Sequence, residues 1–214
     1  MDNVLKDINP ILQLLIVMTV FSLIPFVFCC MTSFLRFTIV FSMLKTALGT
    51  QQVPPSIVII GLSMILTFYT MGGVFQKMYD MGSVPFMKNQ DLVQTINQGS
   101  KPLKEFMMKQ TRESDLAFFI ELANKEQPKS PEEITIWQVA PAYILSELKT
   151  AFEIGFVVFV PFIVLDLIVA NILLALGMFM LSPTIISLPF KLLIFIAVDG
   201  WALIVQGLVQ SYNT

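Results

Sequence analysis

Charged side chains within apolar segments are the residues of this sequence best placed to do chemistry. The positive ones are Arg36, Lys45, Lys149 and Lys191, and the negative ones are Glu147, Glu153, Asp166 and Asp199. An unpaired charge at the centre of a bilayer costs at least about 2.5–3.5 kcal/mol. Because the two signs are balanced four to four, the pattern favours ion pairs between helices or between subunits. The alternative is a small proton- or cation-coupled transporter, in which Glu153 and Asp166 bind the ion.

Few other groups could support catalysis or metal binding. The sequence has no His, the commonest general base and metal ligand near neutral pH, and its only thiols are the adjacent Cys29 and Cys30. Ser146 and Lys149 have the i, i+3 spacing of a Ser–Lys pair, but no oxyanion-stabilising group accompanies them. We therefore expect a protein that is not an enzyme and that needs no metal or cofactor.

The elements that must position these charges are long apolar runs. Of the 214 residues, 56% are hydrophobic and 13% are charged, whereas a soluble domain is about 45–50% apolar and about 25% charged. This composition excludes a soluble globular enzyme, and the net charge of -2 excludes a basic nucleic-acid-binding protein. The apolar runs are Ile8–Leu35, Thr46–Gln76, Leu167–Phe190 and Leu192–Val209. Since about 20 apolar residues cross a bilayer as a helix, we predict an all-α membrane-type fold with about four long helices in two hairpins.

The distribution of charge divides the chain into three segments. Residues 1–74 form an apolar hairpin, residues 75–138 a polar helical insert outside the membrane, and residues 139–214 a second apolar hairpin. The insert carries 17 of the 28 charged residues. Its helices are expected to pack on neighbouring copies through Leu103, Phe106, Leu116 and Phe119. Arg36 and Lys45 are assigned to a short connection, which the positive-inside rule places in the cytoplasm.

The connection between the last two apolar runs, Gly177–Lys191, reads GMFMLSPTIISLPFK. We expect Gly177 to loosen the preceding helix and Pro183 and Pro189 to stop it, so that these three residues act as hinges. The large apolar side chains of the connection are Met178, Phe179 and Met180. In a single chain such residues usually fill a core. Several copies around one axis would instead form a deformable hydrophobic constriction, because thioethers reorient easily.

Longer motifs in the same segments carry a family resemblance. They are ALGTQQVPP (Ala47–Pro55), PLKEFMMKQTRESDLAFF (Pro102–Phe119), PAYILSELKTAFEIGF (Pro141–Phe156), PFIVLDLIVANILLALGMFMLSPTIISLPFK (Pro161–Lys191) and VDGW (Val198–Trp201). The sequence resembles, over almost its whole length, the FliP/SctR family of export-gate proteins in bacterial type III secretion systems. Features typical of the flagellar branch and of the virulence branch both occur, so either branch is possible.

The resemblance implies an assembly as well as a function. Several copies would join two smaller membrane proteins, one FliQ/SctS-like and one FliR/SctT-like, in a helical cone. The cone would lie at the bacterial inner membrane and project partly to the periplasmic side. Unfolded export substrates would pass along its axis, and the family's methionine-rich loop, matched by Met178, Phe179 and Met180, would form the gasket. Phe179 departs from the three consecutive methionines of many relatives.

Overall fold

The computed structural model describes residues 10–50, 53–89, 92–123, 130 and 133–212, and these residues form helices, turns and loops without a β-strand. The helices are α1 Pro10–Met31, α2 Phe34–Ala47, α3 Ser56–Asn89, α4 Leu92–Gly99, α5 Lys101–Gln110, α6 Glu113–Leu122, α7 Ile136–Ala175, α8 Pro183–Ala197 and α9 Gly200–Gln210. The prediction of an all-α fold is confirmed.

The chain forms two compact units, each built from two stretches of sequence. Unit 1 comprises Met1–Leu35 and Met71–Ser146, and unit 2 comprises Arg36–Thr70 and Glu147–Thr214. Each of the long helices α3 and α7 contributes one end to each unit. The units therefore do not follow the three segments suggested by the charge distribution.

Unit 1 has its core between α3, α5, α6 and the beginning of α7. The core side chains include Met71, Leu103, Met107, Ile120 and Tyr143. Phe106 and Leu116 pack against this core as well. The expectation that Leu103 packs on neighbouring copies is therefore wrong, because the chain's own helices bury it, whereas contact of Phe106, Leu116 and Phe119 with neighbouring copies stays a prediction.

Unit 2 has its core around α2. Phe37, Val40, Phe41 and Leu44 recur at the i, i+3, i+4, i+7 spacing of one helix face, and all four are fully buried. Later residues of α2 lie beside later residues of α7: Arg36 contacts Glu147, and Leu44 belongs to one cluster with Phe162. The two helices therefore run parallel. This helix corrects the assignment of Arg36 and Lys45 to a connection, since both residues lie within α2.

Length and composition allow several helices to cross a membrane. Among the described residues, the Ser56–Ser83 part of α3 and the whole of α7 are each long and apolar enough to span. The count rises to four if α1 with α2, and α8 with α9, each make one span. The predicted run Leu167–Phe190 is not one helix, because α7 ends at Ala175 and α8 begins at Pro183.

Candidate functional site

The predicted gasket residues lie in a short loop, residues 176–182, between α7 and α8. The side chain of Met178 is 46% exposed, that of Phe179 77% and that of Met180 99%. Three consecutive large apolar side chains are thus directed away from the chain's own core. Such exposure normally indicates a surface that another molecule or another copy covers.

Gly177 ends α7 in a way that no other residue type would do as easily. Its φ of 74° lies in the left-handed region. Its amide donates to the Leu174 carbonyl at 3.0 Å, and the Met178 amide donates to the Leu173 carbonyl at 2.9 Å. These two bonds are the Schellman motif, which satisfies the last carbonyls of a helix and reverses the chain. Gly177 therefore sets the direction in which the loop leaves α7.

The two prolines of the predicted loop lie in α8. Pro183 is the first residue of α8, where its fixed φ and missing amide hydrogen cost nothing. Pro189 lies inside the same helix. The loop is consequently shorter than the expected Gly177–Lys191. The expectation that Pro183 and Pro189 stop a helix is wrong, since Pro183 starts α8 and α8 continues through Pro189. A hinge role for these residues stays a prediction.

The helices α7 and α8 form an antiparallel hairpin beneath this loop. The ring centroids of Phe162 and Phe195 lie 6.3 Å apart, and Asp166 contacts Lys191. Later residues of α7 therefore lie beside earlier residues of α8, as in an antiparallel pair. At a rise of about 1.5 Å per residue, the Asp166–Lys191 contact lies about 12–14 Å from the loop end of each helix.

Asp166 is the centre of a polar network that joins three helices. The Lys191 ammonium lies 2.7 Å from Asp166 Oδ2, and the Ser187 hydroxyl donates to Asp166 Oδ1. Lys191 Nζ also donates to the Ala47 carbonyl at 3.1 Å, at the C-terminal end of α2. A cation is favourable there, because the last carbonyls of a helix carry partial negative charge. The network fixes the hairpin to α2.

Arg36 and Glu147 form a second, fully buried ion pair. The side chains are 4% and 0% exposed, and Arg36 Nε donates to Glu147 Oε2 at 2.9 Å while Nη2 donates to Oε1. The third nitrogen, Nη1, donates to the carbonyl and the hydroxyl of Ser211. Tyr212 donates its hydroxyl to Glu147 Oε2 at 2.6 Å, and its ring centroid lies 3.9 Å from the guanidinium carbon. This bidentate geometry with additional donors is the arrangement in which a buried pair is tolerated.

The remaining charges of the predicted set lie on helix surfaces or ends. Lys149 and Glu153 are exposed on α7, one helical turn apart. Lys45 is half-buried in the last turn of α2, and Asp199 is exposed between α8 and α9. Lys45 and Asp199 form no ion pair among the described residues. Pairing of Lys149 with Glu153 stays a prediction.

Sequence reasoning missed several polar partners. Ser187, Ser211 and Tyr212 complete the two ion pairs, yet nothing in their local sequence distinguishes them from other hydroxyl residues. In unit 1, the Ser146 hydroxyl donates to Asp115 at 2.8 Å and accepts the Arg112 amide hydrogen at 3.0 Å. The Ser146 hydroxyl thus has structural partners on α6 and at the start of that helix.

The fold and the site define a helical membrane-type protein that presents an exposed apolar loop on a hairpin held together by an ion pair. The FliP family model matches residues 17–208, and the chain belongs to the FliP family. It is 44% identical over 208 residues to the flagellar biosynthetic protein FliP of Bacillus subtilis (strain 168), covering 97% of this chain and 94% of the relative. The FliP of Pectobacterium carotovorum subsp. carotovorum is 46% identical over 201 residues, covering 94% and 78%. That of Caulobacter vibrioides is 45% identical over 204 residues, covering 95% and 77%.

Proposed function

We propose that this chain is a pore-forming core subunit of the flagellar export gate, through which unfolded proteins cross the bacterial inner membrane. Membership of the FliP family supports the export function, and the name shared by the relatives, flagellar biosynthetic protein, favours the flagellar branch over the virulence branch. The same membership favours the gate over the proton- or cation-coupled transporter. The role is structural, with no reaction catalysed by the chain.

The observation that carries the pore-forming role is the exposure of Met178, Phe179 and Met180 at the tip of the α7–α8 hairpin. The chain's own residues leave these three adjacent apolar side chains uncovered, so another molecule or another copy must cover them. Several copies arranged around an axis would bring identical loops together and close a passage. Apolar side chains at a narrow point block ions by dewetting.

The gasket must yield to a polypeptide and then close again. Met178 and Met180 supply flexible thioethers that adapt to changing shapes, while Phe179 adds a stiffer ring. Beneath the loop, the Asp166–Lys191 ion pair and the Phe162–Phe195 contact hold the two helices together. We propose that only the loop side chains move when a substrate passes and that the braced hairpin stays in place.

The assembly includes further copies of this chain and two smaller membrane proteins, one FliQ/SctS-like and one FliR/SctT-like. We propose that it lies at the inner membrane with part of it projecting to the periplasmic side. The long apolar helices α3 and α7 support a membrane location, and the exposed apolar side chains of α7 and α8 support contact with protein or lipid neighbours.

Replacing Met178, Phe179 and Met180 together by Ala tests this function. The gate should leak small ions while secretion of export substrates partly survives, because the seal is lost and the passage is not. Ion conductance of the membrane and secreted protein are measured in the same cells. A matched control replaces Ile57 and Ile65, which are also exposed but lie on α3. Loss of secretion without a rise in conductance would show that the loop serves packing and not sealing.

A further inference from the structure

Two of the eight charged residues in the apolar segments have no polar side-chain contact within the part of the chain that the structure describes. Within the described residues, Lys45 and Asp199 make neither an ion pair nor a side-chain hydrogen bond to another group. One is a cation and the other an anion, and both belong to unit 2. Charges in apolar surroundings are costly unless they are paired, so an opposite charge from another molecule would stabilise the half-buried Lys45, and Asp199 is an exposed anion that could supply it.

Lys45 lies beside an apolar groove between α2 and α7. The groove has a volume of about 400 Å³ and is lined by Thr38, Ile39, Ser42, Met43, Thr46, Phe152 and Phe159. In the sequence Lys45 falls between the lining residues Met43 and Thr46, one helical turn after Ser42. The Thr38 hydroxyl oxygen is buried and has no hydrogen-bond partner among the described residues. The groove is therefore apolar, concave and bordered by polar groups that still need partners.

Asp199 lies at a projecting corner of the same unit. The helices α8 and α9 meet there at a bend of 63°. The residue adopts the left-handed conformation with φ 53°, and its side chain does not cap α9. The neighbouring Ile196 and Val198 are 75% and 53% exposed. The corner therefore presents an apolar surface with one carboxylate at its tip.

We infer that the α8–α9 corner of one copy docks into the α2–α7 groove of a second copy, with Asp199 bound to Lys45. The corner is exposed and apolar, the groove is apolar and unfilled by its own chain, and the charges at their borders are opposite. The contact joins two different surfaces of the chain, so its repetition produces a ring or a helical array and not a closed two-fold dimer. The inference rests on the proposed assembly of several copies and names the contact between them.

A second copy accounts for both the groove beside Lys45 and the corner at Asp199, whereas an anionic lipid accounts only for the groove. A lipid phosphate would satisfy Lys45, and its acyl chain would fill the groove. It would leave Asp199 without a partner and the exposed Ile196 and Val198 uncovered. A pair between Lys45 and Asp199 of the same chain is the other arrangement that the test must separate.

Cross-linking between differently tagged copies tests the contact. Cys29 and Cys30 are first replaced by Ser, and the full-length chain is produced with its export-gate partners. One tagged copy carries Lys45→Cys and the other carries Asp199→Cys, and a short bismaleimide is added to the assembled particle. We expect a covalent heterodimer carrying both tags. The matched control pairs Lys45→Cys with Ser114→Cys, an exposed position in unit 1, and should give none.

Charge exchange gives an independent measurement. Lys45→Glu alone and Asp199→Lys alone should each lower the assembled fraction roughly five- to tenfold, as expected when an ion pair at a partly exposed site becomes a like-charge contact. The two substitutions together should restore most of it. Asp199→Asn, which keeps the left-handed preference but removes the charge, should have a smaller effect than Asp199→Lys.

The outcomes separate this inference from the proposed function. An assembled, secretion-competent particle without the heterodimer would overturn the contact and leave the export-gate proposal intact. So would a cross-link found only within single chains that carry both cysteines, or an anionic lipid that is retained by the unsubstituted chain and lost with Lys45→Gln. Failure of the unsubstituted chain to assemble at all would overturn the gate proposal together with this contact.

Discussion

Asp166 on α7 and Lys191 on α8 form an ion pair with an Oδ2–Nζ distance of 2.7 Å, on the two helices that carry the exposed loop between them. Lys191 also donates to the Ala47 carbonyl at the end of α2. One ammonium thus holds the hairpin together and attaches it to a third helix. Because the loop itself makes little contact with its own chain, its position depends on this pair.

Replacing Lys191 by Met should destabilise the protein by about 2–3 kcal/mol, below the about 3–5 kcal/mol of a fully buried pair, because the Asp166 side chain is 31% exposed. Exchanging the charges with Asp166→Lys and Lys191→Asp should recover only part of the loss. The exchanged pair restores the attraction, but a carboxylate at 191 cannot donate to the Ala47 carbonyl. Thermal unfolding in mild detergent measures both effects, and full recovery would contradict a role for the bond to Ala47.

Tyr212→Phe should separate the two contacts that this side chain makes. The substitution removes the hydroxyl that donates to Glu147 and keeps the ring against Arg36. Hydrogen bonds to charged groups contribute about 1.5–3 kcal/mol, so a loss of that size in the free energy of unfolding is expected. Tyr212→Leu should cost more, because the cation–π contact is lost too. Equal stabilities for the two variants would show that the ring adds nothing.

The backbone at the α8–α9 corner makes a different prediction. A Cβ at Gly200 would overlap Cε2 and Cδ2 of the Phe195 ring, which is itself buried. Gly200→Ala should therefore destabilise the protein by about 1–3 kcal/mol, as overpacking of a core does. Gly207→Ala lies on the same helix with nothing within 4 Å of the added carbon, and it should be neutral or stabilising. Unfolding temperatures of the two variants in the same detergent provide the comparison.

The sequence predicts the helical class and the charged residues of the site for a physical reason. Long apolar runs and charges that need partners are local properties, and they appear in the order of the residues. Arg36 and Asp166 could be recognised as needing partners in this way. Which residues meet them depends on distant segments: Glu147 is 111 residues from Arg36, and Lys191 is 25 from Asp166.

Local sequence signals such as Gly and Pro also differ in how well they predict where a helix ends. Gly177 is a reliable sign of a helix end, because the left-handed turn found there favours Gly. Pro183 is an ambiguous sign, since a proline that cannot continue one helix suits the first position of the next, as it does in α8. The apolar face of the insert was visible in the sequence, but the periodicity of a face does not tell whether it packs on its own chain or on another.

The exposure of the loop leads to the last prediction. It distinguishes a sealing role of the loop side chains from a core-filling role without a transport measurement. Met178, Phe179 and Met180 are 46%, 77% and 99% exposed, so replacing all three by Ala should leave the unfolding temperature of the isolated subunit nearly unchanged. The matched core variant is Phe162→Ala, whose side chain is 6% exposed and should cost about 3–5 kcal/mol. Both variants are unfolded in the same detergent. If the loop variant unfolds as early as the core variant, its side chains are packing residues of the subunit and the gasket loses its structural basis. If only the core variant unfolds earlier, removal of the loop side chains does not destabilise the subunit. Any rise in ion conductance of the assembled gate then comes from loss of the seal itself.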